Sequence, residues 1–189
     1  MTDKSKKLLR GLTVKEDIAH PLRYINKDDR DIKYLVVHYT GNYSDCDENN
    51  ARYFKTDPRN NSYASAHLFI DNDSTTLSVE LNNIAYHCGS ANGYKHGSCR
   101  NSNSIGIEMC CFNNYKVHKK TIERTANVVA RIAYNLKWSS NSIDSWLLRH
   151  YDVTGKLCPK QFVENVDEWV EFKKVVAKKL DYKYKKYAK

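Results

Sequence analysis

Apolar residues fill Tyr34-Leu-Val-Val-His-Tyr39 except at His38, which predicts a buried β-strand. Successive side chains of a strand point to opposite faces. Tyr34, Val36 and His38 therefore share one face, and Leu35, Val37 and Tyr39 the other. Ala66 to Asp71 predicts a second strand, a turn follows at Asn72-Asp-Ser74, and a third strand is expected near Thr76 to Glu80. Ile84 to His87 and Ser104 to Cys111 add two more. In the last of these Ser104, Gly106, Glu108 and Cys110 face one way, and Ile105, Ile107 and Met109 the other.

Downstream the period changes to that of a helix. Ile122, Ala126, Val129, Ala133 and Leu136 form an apolar stripe from Thr121 onward, and Val166, Trp169, Val170, Phe172, Val176 and Leu180 form another. Asp45 to Lys55 suits a short helix. Gly89 to Asn103 shows no period, and a loop of that length inside a domain usually serves function. Residues 1–30 are polar and mixed and read as an N-terminal arm; residues 181–189 read as a basic C-terminal tail. Between them, residues 31–180 read as a single α/β domain, a mixed sheet flanked by helices.

Candidate chemistry sits at the ends of these elements. His150 and Cys158 are eight positions apart, and Thr154-Gly155 between them permits a tight loop that turns both side chains inward. Zinc accepts imidazole nitrogen and thiolate, and a catalytic zinc keeps three protein ligands and one open position. His38, at the end of the first strand, is the candidate third ligand. His67 and His87 compete for that role, but five donors would exceed a normal catalytic site. Glu108 is an acid inside an apolar strand, a costly placement unless the group is neutral, paired to a lysine, or catalytic.

These residues lie in five ordered blocks: Val37-His-Tyr-Thr-Gly41, Ser65-Ala-His-Leu-Phe-Ile-Asp71, Ala85-Tyr-His87, Asn103-Ser-Ile-Gly-Ile-Glu108 and His150-Tyr-Asp-Val-Thr-Gly-Lys-Leu-Cys-Pro159. Together they resemble the type 2 N-acetylmuramoyl-L-alanine amidases, a family that includes phage endolysins, bacterial autolysins, anhydromuropeptide amidases and peptidoglycan recognition proteins. The resemblance covers residues 30 to 180. It implies a central, mostly parallel sheet of five or six strands with helices around it, and Zn2+ held by His38, His150 and Cys158. It further implies Glu108 as the group that moves protons and Lys156 as a cation for the oxyanion. His87, Asn103 and Ser104 are expected to meet the substrate, whereas His67 supports a ligand from behind or packs in the core. Some relatives carry a tyrosine directly before the second-strand histidine; here that position is Ala66, which puts more weight on Glu108. Asp152 and Thr154 are expected to fix the metal loop by local hydrogen bonds.

Composition narrows the partners. Hydrophobic residues make up 41% and charged residues 28%, the balance of a soluble globular chain, and no apolar run is long enough to insert in a membrane. The formal net charge of +9 favours a polyanion. Anionic wall polymers fit, while nucleic acid is discounted because its usual motifs are missing. The basic N-terminus lacks the apolar segment of a secretory signal. The expectation is a monomer made in the cytoplasm that cleaves peptidoglycan in the cell wall after release, as an endolysin or autolysin. Two alternatives are a cytoplasmic amidase of soluble muropeptides, with little need of that charge, and a silent peptidoglycan binder, which typically lacks the zinc cysteine. Of the six cysteines only Cys158 is assigned a chemical role. Cys110 and Cys111 point to opposite strand faces, and Cys46, Cys88 and Cys99 read as free thiols. A Cys88–Cys99 link, or a second metal around His87, Cys88, His96 and Cys99, is the competing arrangement.

Overall fold

The strand Tyr34–Tyr39 (β3) is enclosed on both faces, with Leu35, Val36 and Val37 fully buried, because it lies inside a six-stranded sheet. A computed structural model describes residues 1–58 and 62–187. β3 pairs with β7 (Ser104–Met109) on one side and β8 (Leu147–Arg149) on the other. Beyond β7 come β4 (Leu68–Ile70), β5 (Thr75–Leu77) and the edge strand β1 (Lys15–Glu16). Every ladder in this sheet is parallel except β4–β5. The expected mostly parallel sheet is therefore present.

The face carrying Leu35, Val37, Ile105, Ile107 and Met109 packs on α3 (Lys119–Asn135) and α7 (Val166–Tyr187) to form the main core. Each large apolar side chain buried there contributes about 1.5–3 kcal/mol. The opposite face carries Tyr34 and Val36 in one small cluster. A second cluster there packs Phe69 and Cys110 against Ala51 of α2 (Asp47–Lys55). The strand alternation read from the sequence thus separates a structural face from the face that bears His38 and Glu108.

Four differences from the sequence expectations have local causes. The segment read as an arm over residues 1–30 is part of the fold. Leu8 and Leu9 of α1 (Asp3–Leu9) are buried in the main core, Asn135 Nδ2 donates to Leu8 O at 2.8 Å, and β1 extends the sheet. A few apolar residues scattered among charges were enough to join the core. At the other end α7 continues to Tyr187, and Tyr184 Oη donates to Trp138 O at 2.9 Å, so residues 181–187 are packed helix. Ala188 and Lys189 lie outside the described residues.

The other two concern strands. The predicted strand at Ile84 shortens to β6 (Ile84–Ala85), which pairs with β2 (Tyr24–Ile25) in a separate two-stranded sheet. β8 itself went unpredicted, because three residues are too few for alternation to show. Among the described residues no helix is long and apolar enough to cross a membrane.

Candidate active site

Strand register assembles the site. In the parallel ladder His38 lies opposite Glu108, and Val37 opposite Arg149. His38 and His150 are therefore the next residues along at the C-terminal ends of adjacent strands, with Glu108 on the far side of His38. His150 opens the short helix α5 (His150–Thr154), which stops at Gly155 in the left-handed region with φ +84°. The chain then returns so that Tyr151 N donates to Cys158 O at 2.9 Å, and the helix α6 (Lys160–Glu164) follows. Asp152 secures the start of this loop: it accepts from Arg149 N at 2.8 Å and from Arg149 NH2 at 2.7 Å, while Arg149 NH1 donates to Phe162 O. Thr154 Oγ1 donates weakly to His150 O at 3.4 Å.

His38, His150 and Cys158 converge, each buried, with one ligand atom from each lying within 4.8 Å of the others. His38 Nδ1 is 3.1 Å from His150 Nδ1 and 3.9 Å from Cys158 Sγ. Hydrogen bonds behind His38 assign its tautomer. Ser104 Oγ donates to Arg100 O at 2.7 Å, so it accepts from His87 Nε2 at 3.0 Å. His87 Nδ1 then accepts from His38 Nε2 at 3.1 Å, which leaves a lone pair on His38 Nδ1.

Burial, ahead of neighbouring positive charge, holds the His38 imidazole well below its usual pKa and His150 at about 4. Two neutral rings thus aim nitrogens at one point beside a thiol, and His150 Nε2 is buried with no hydrogen-bond partner. Burial, reinforced by Glu108, pushes the Cys158 thiol up to about 12, so a thiolate here calls for a cation. The donor set fits zinc.

Glu108 borders this cluster. Its Oε1 is 3.9 Å from His38 Nδ1, its Oε2 is buried without a partner, and its side chain is 19% exposed at a groove of about 560 Å³ lined also by Thr40, Asn42 and Phe69. Burial raises its carboxyl to about 8, against the pull of Lys156. Among the described residues no lysine or arginine pairs with it, so the lysine-paired alternative is not what forms. Lys156 is exposed on the loop, and its charge acts on Glu108, His38 and His150.

The residues expected to meet substrate are placed differently. Ser104 is fully enclosed and His87 is 7% exposed, both behind His38. Asn103 spends its side chain on its own loop, donating to Ser98 O at 2.9 Å and accepting from Arg100 N at 2.8 Å. Ser104, at the start of β7, is covered by the loop that feeds the strand, far from its exposed C-terminal end. His67 is a supporting core residue: Nδ1 accepts from Gly106 N at 2.9 Å, while Nε2 lies 2.8 Å from Arg30 Nη2 and 3.1 Å from Asn83 O.

Two supporting residues escaped sequence reading. Arg30 is buried and donates to Leu81 O, Asn101 O and Ser104 O, yet in the run Lys27-Asp-Asp-Arg-Asp31 it looked like any surface charge. Gly106 lets His87 lie against β7, since a Cβ there would sit 2.4 Å from His87 Cγ. A glycine inside an apolar strand was the available signal.

Buried His, His and Cys donors and an unpaired carboxyl thus meet at the C-terminal edge of a mostly parallel sheet. Residues 28–161 match the sequence profile described as N-acetylmuramoyl-L-alanine amidase, and the chain belongs to that family. The N-acetylmuramoyl-L-alanine amidase BlyA of Bacillus subtilis (strain 168) is 34% identical over 160 residues, covering 79% of this chain and 42% of BlyA. The chain thus spans about two fifths of the length of the curated relatives it matches. In fold it is similar to the catalytic domain of XlyA, with a TM-score of 0.69 at 21% identity over 87% of this chain and 99% of that one. It is similar also to Staphylococcus aureus hydrolase AmiA in complex with its ligand, with a TM-score of 0.70 at 16% identity over 96% and 90%.

Proposed function

We propose that this chain is a zinc-dependent hydrolase of the amide bond between N-acetylmuramic acid and L-alanine in peptidoglycan, acting on the cell wall as an endolysin or autolysin. The observation that carries this reading is the convergence of His38, His150 and Cys158 with Glu108 in register beside them. His38, His150 and Cys158 would hold the zinc, which when bound would supply Lewis acidity for amide hydrolysis.

The remaining work falls to side chains. Glu108 has an unpaired oxygen at the groove and takes the proton of the attacking water, then returns it to the departing nitrogen. Lys156 stabilises the negative charge that develops on the carbonyl oxygen. His87 and Ser104 hold the His38 ring in the tautomer that presents Nδ1. The net charge of +9 favours an anionic wall over soluble muropeptides.

Mass analysis of digested walls tests the reading. New free N-terminal L-alanine is expected without new reducing sugar ends, together with zinc near one equivalent per chain. Reducing ends, or cleavage inside the stem peptide, would replace it with a different hydrolase. Binding to walls without cleavage would make the protein a recognition domain.

A further inference from the structure

Two enclosed thiols stand at the feet of an exposed loop. Cys88 and Cys99 are both fully buried, whereas every residue from Gly89 to Ser98 is partly or fully exposed. They share an apolar cluster with Val36, Leu148 and Val153, both are free thiols, and the Cys88 thiol donates to Asn101 Oδ1 at 3.2 Å. Among the described residues the only group of three or more metal-ligand donors that converges is His38, His150 and Cys158, so no third donor joins Cys88 and Cys99 in this arrangement.

The loop between them grips the metal site from two sides. Lys95 N and His96 N both donate to Val153 O of α5, at 2.9 and 3.2 Å. The Lys95 side chain covers Gly155 and sets its ammonium 4.8 Å from the Tyr151 ring. At the other foot Asn101 Oδ1 accepts from His87 N at 3.2 Å and from Cys88 N at 2.8 Å. His87 in turn holds His38, and α5 begins with His150.

We propose that Cys88 and Cys99 are a covalent modification site: a small-molecule disulfide oxidises them to an intramolecular disulfide that closes the loop and pins the ligand-bearing segment His150–Cys158. The Cys88 thiolate attacks the reagent, forms a mixed disulfide and expels one thiolate. That thiolate takes the Cys99 proton, and Cys99 then attacks Cys88 Sγ and expels the second thiolate. The protein loses two electrons and two hydrogens, and one reagent disulfide becomes two thiols. The adjacent Cys99, then the neighbouring His87, favours the Cys88 thiolate and holds its pKa below the usual thiol range, so Cys88 is the attacker. Burial raises Cys110, Cys111 and Cys158 instead, which slows them as competitors. The exposed loop opens to admit the reagent. The link does not depend on the proposed reaction.

The test uses the full, zinc-loaded chain, reduced and then incubated with oxidised glutathione. After alkylation and a non-reducing peptide map, two of the six thiols should be missing and joined as Cys88–Cys99. Cys99→Ser should stop at the mixed disulfide and retain one glutathione on Cys88. Cross-linked protein should release zinc to a chelator several-fold more slowly than reduced protein, with slower amide exchange at residues 153–156. Six thiols remaining, or a link between other cysteines, overturns the modification site. A Cys88–Cys99 link that leaves zinc release and exchange unchanged overturns the pinning.

Discussion

Glu108 and His38 illustrate how one position acquires chemistry from its neighbours. With no metal ion beside it, burial raises the Glu108 carboxyl to about 8; a metal ion held by His38, His150 and Cys158 would favour its charged form, the form that accepts a proton. Glu108→Gln preserves shape and hydrogen-bonding capacity but cannot accept a proton. Turnover should fall roughly 100-fold, the scale of general acid–base catalysis, with zinc content and wall binding unchanged. Wild-type turnover in this variant across neutral pH would assign the proton to another group. Lys156→Ala should also retain zinc and slow turnover, on the order of 100-fold if it serves as one oxyanion donor. Both residues were legible in the sequence as candidates, because a lone acid in an apolar strand and a cation between two proposed ligands are local signals. The positioning roles of Ser104 and His87 were not, since they rest on contacts between loops far apart in the chain.

At the scale of elements, β7 must be flat enough for the His87 ring to lie on it. Gly106→Ala would drive a methyl group to 2.4 Å from His87 Cγ, within fully packed surroundings. The ring must move, and the His87 to His38 hydrogen bond moves with it. Zinc affinity should drop by about 10- to 100-fold, the usual cost of losing support behind a ligand, and the melting temperature should fall. Competition titration against a chelator reads the first effect. Unchanged affinity would show that His38 holds its orientation without His87. The helices and long strands were readable from periodicity alone. β8 was not, although its pairing with β3 is what brings His150 beside His38.

Two properties belong to the whole molecule. If the net charge of +9 guides the protein to anionic walls, raising salt until the Debye length is about 10 Å or less should weaken wall binding. Turnover of a small soluble muropeptide should change far less, and equal sensitivity of both would favour the soluble substrate. The second property is acid stability of zinc-free protein. His38, His67 and His150 are held neutral by burial, so below their usual value of 6.5 the unfolded chain takes up protons that the fold refuses. Stability should therefore fall as pH drops from 6.5 toward the folded value of about 4 at His150. Glu108, raised from 4.5 to about 8, works the other way over part of that range, but one group opposes three. A thermal melt series on metal-free protein that stays flat from pH 7 to about 4.5 would contradict this balance.

What the sequence determined by itself is local: two faces on each long strand, two amphipathic helices, and the His150 to Cys158 spacing across a turn. Those follow from backbone geometry and side-chain chemistry within a few residues. The tertiary structure decided which groups meet. It placed Leu8 and Leu9 in the core, sent Arg30 inward to three carbonyls, and turned Ser104 and His87 from expected substrate contacts into the support of His38. Such contacts depend on strand order and register, which arise when distant segments bury apolar surface together and satisfy each other's buried polar groups.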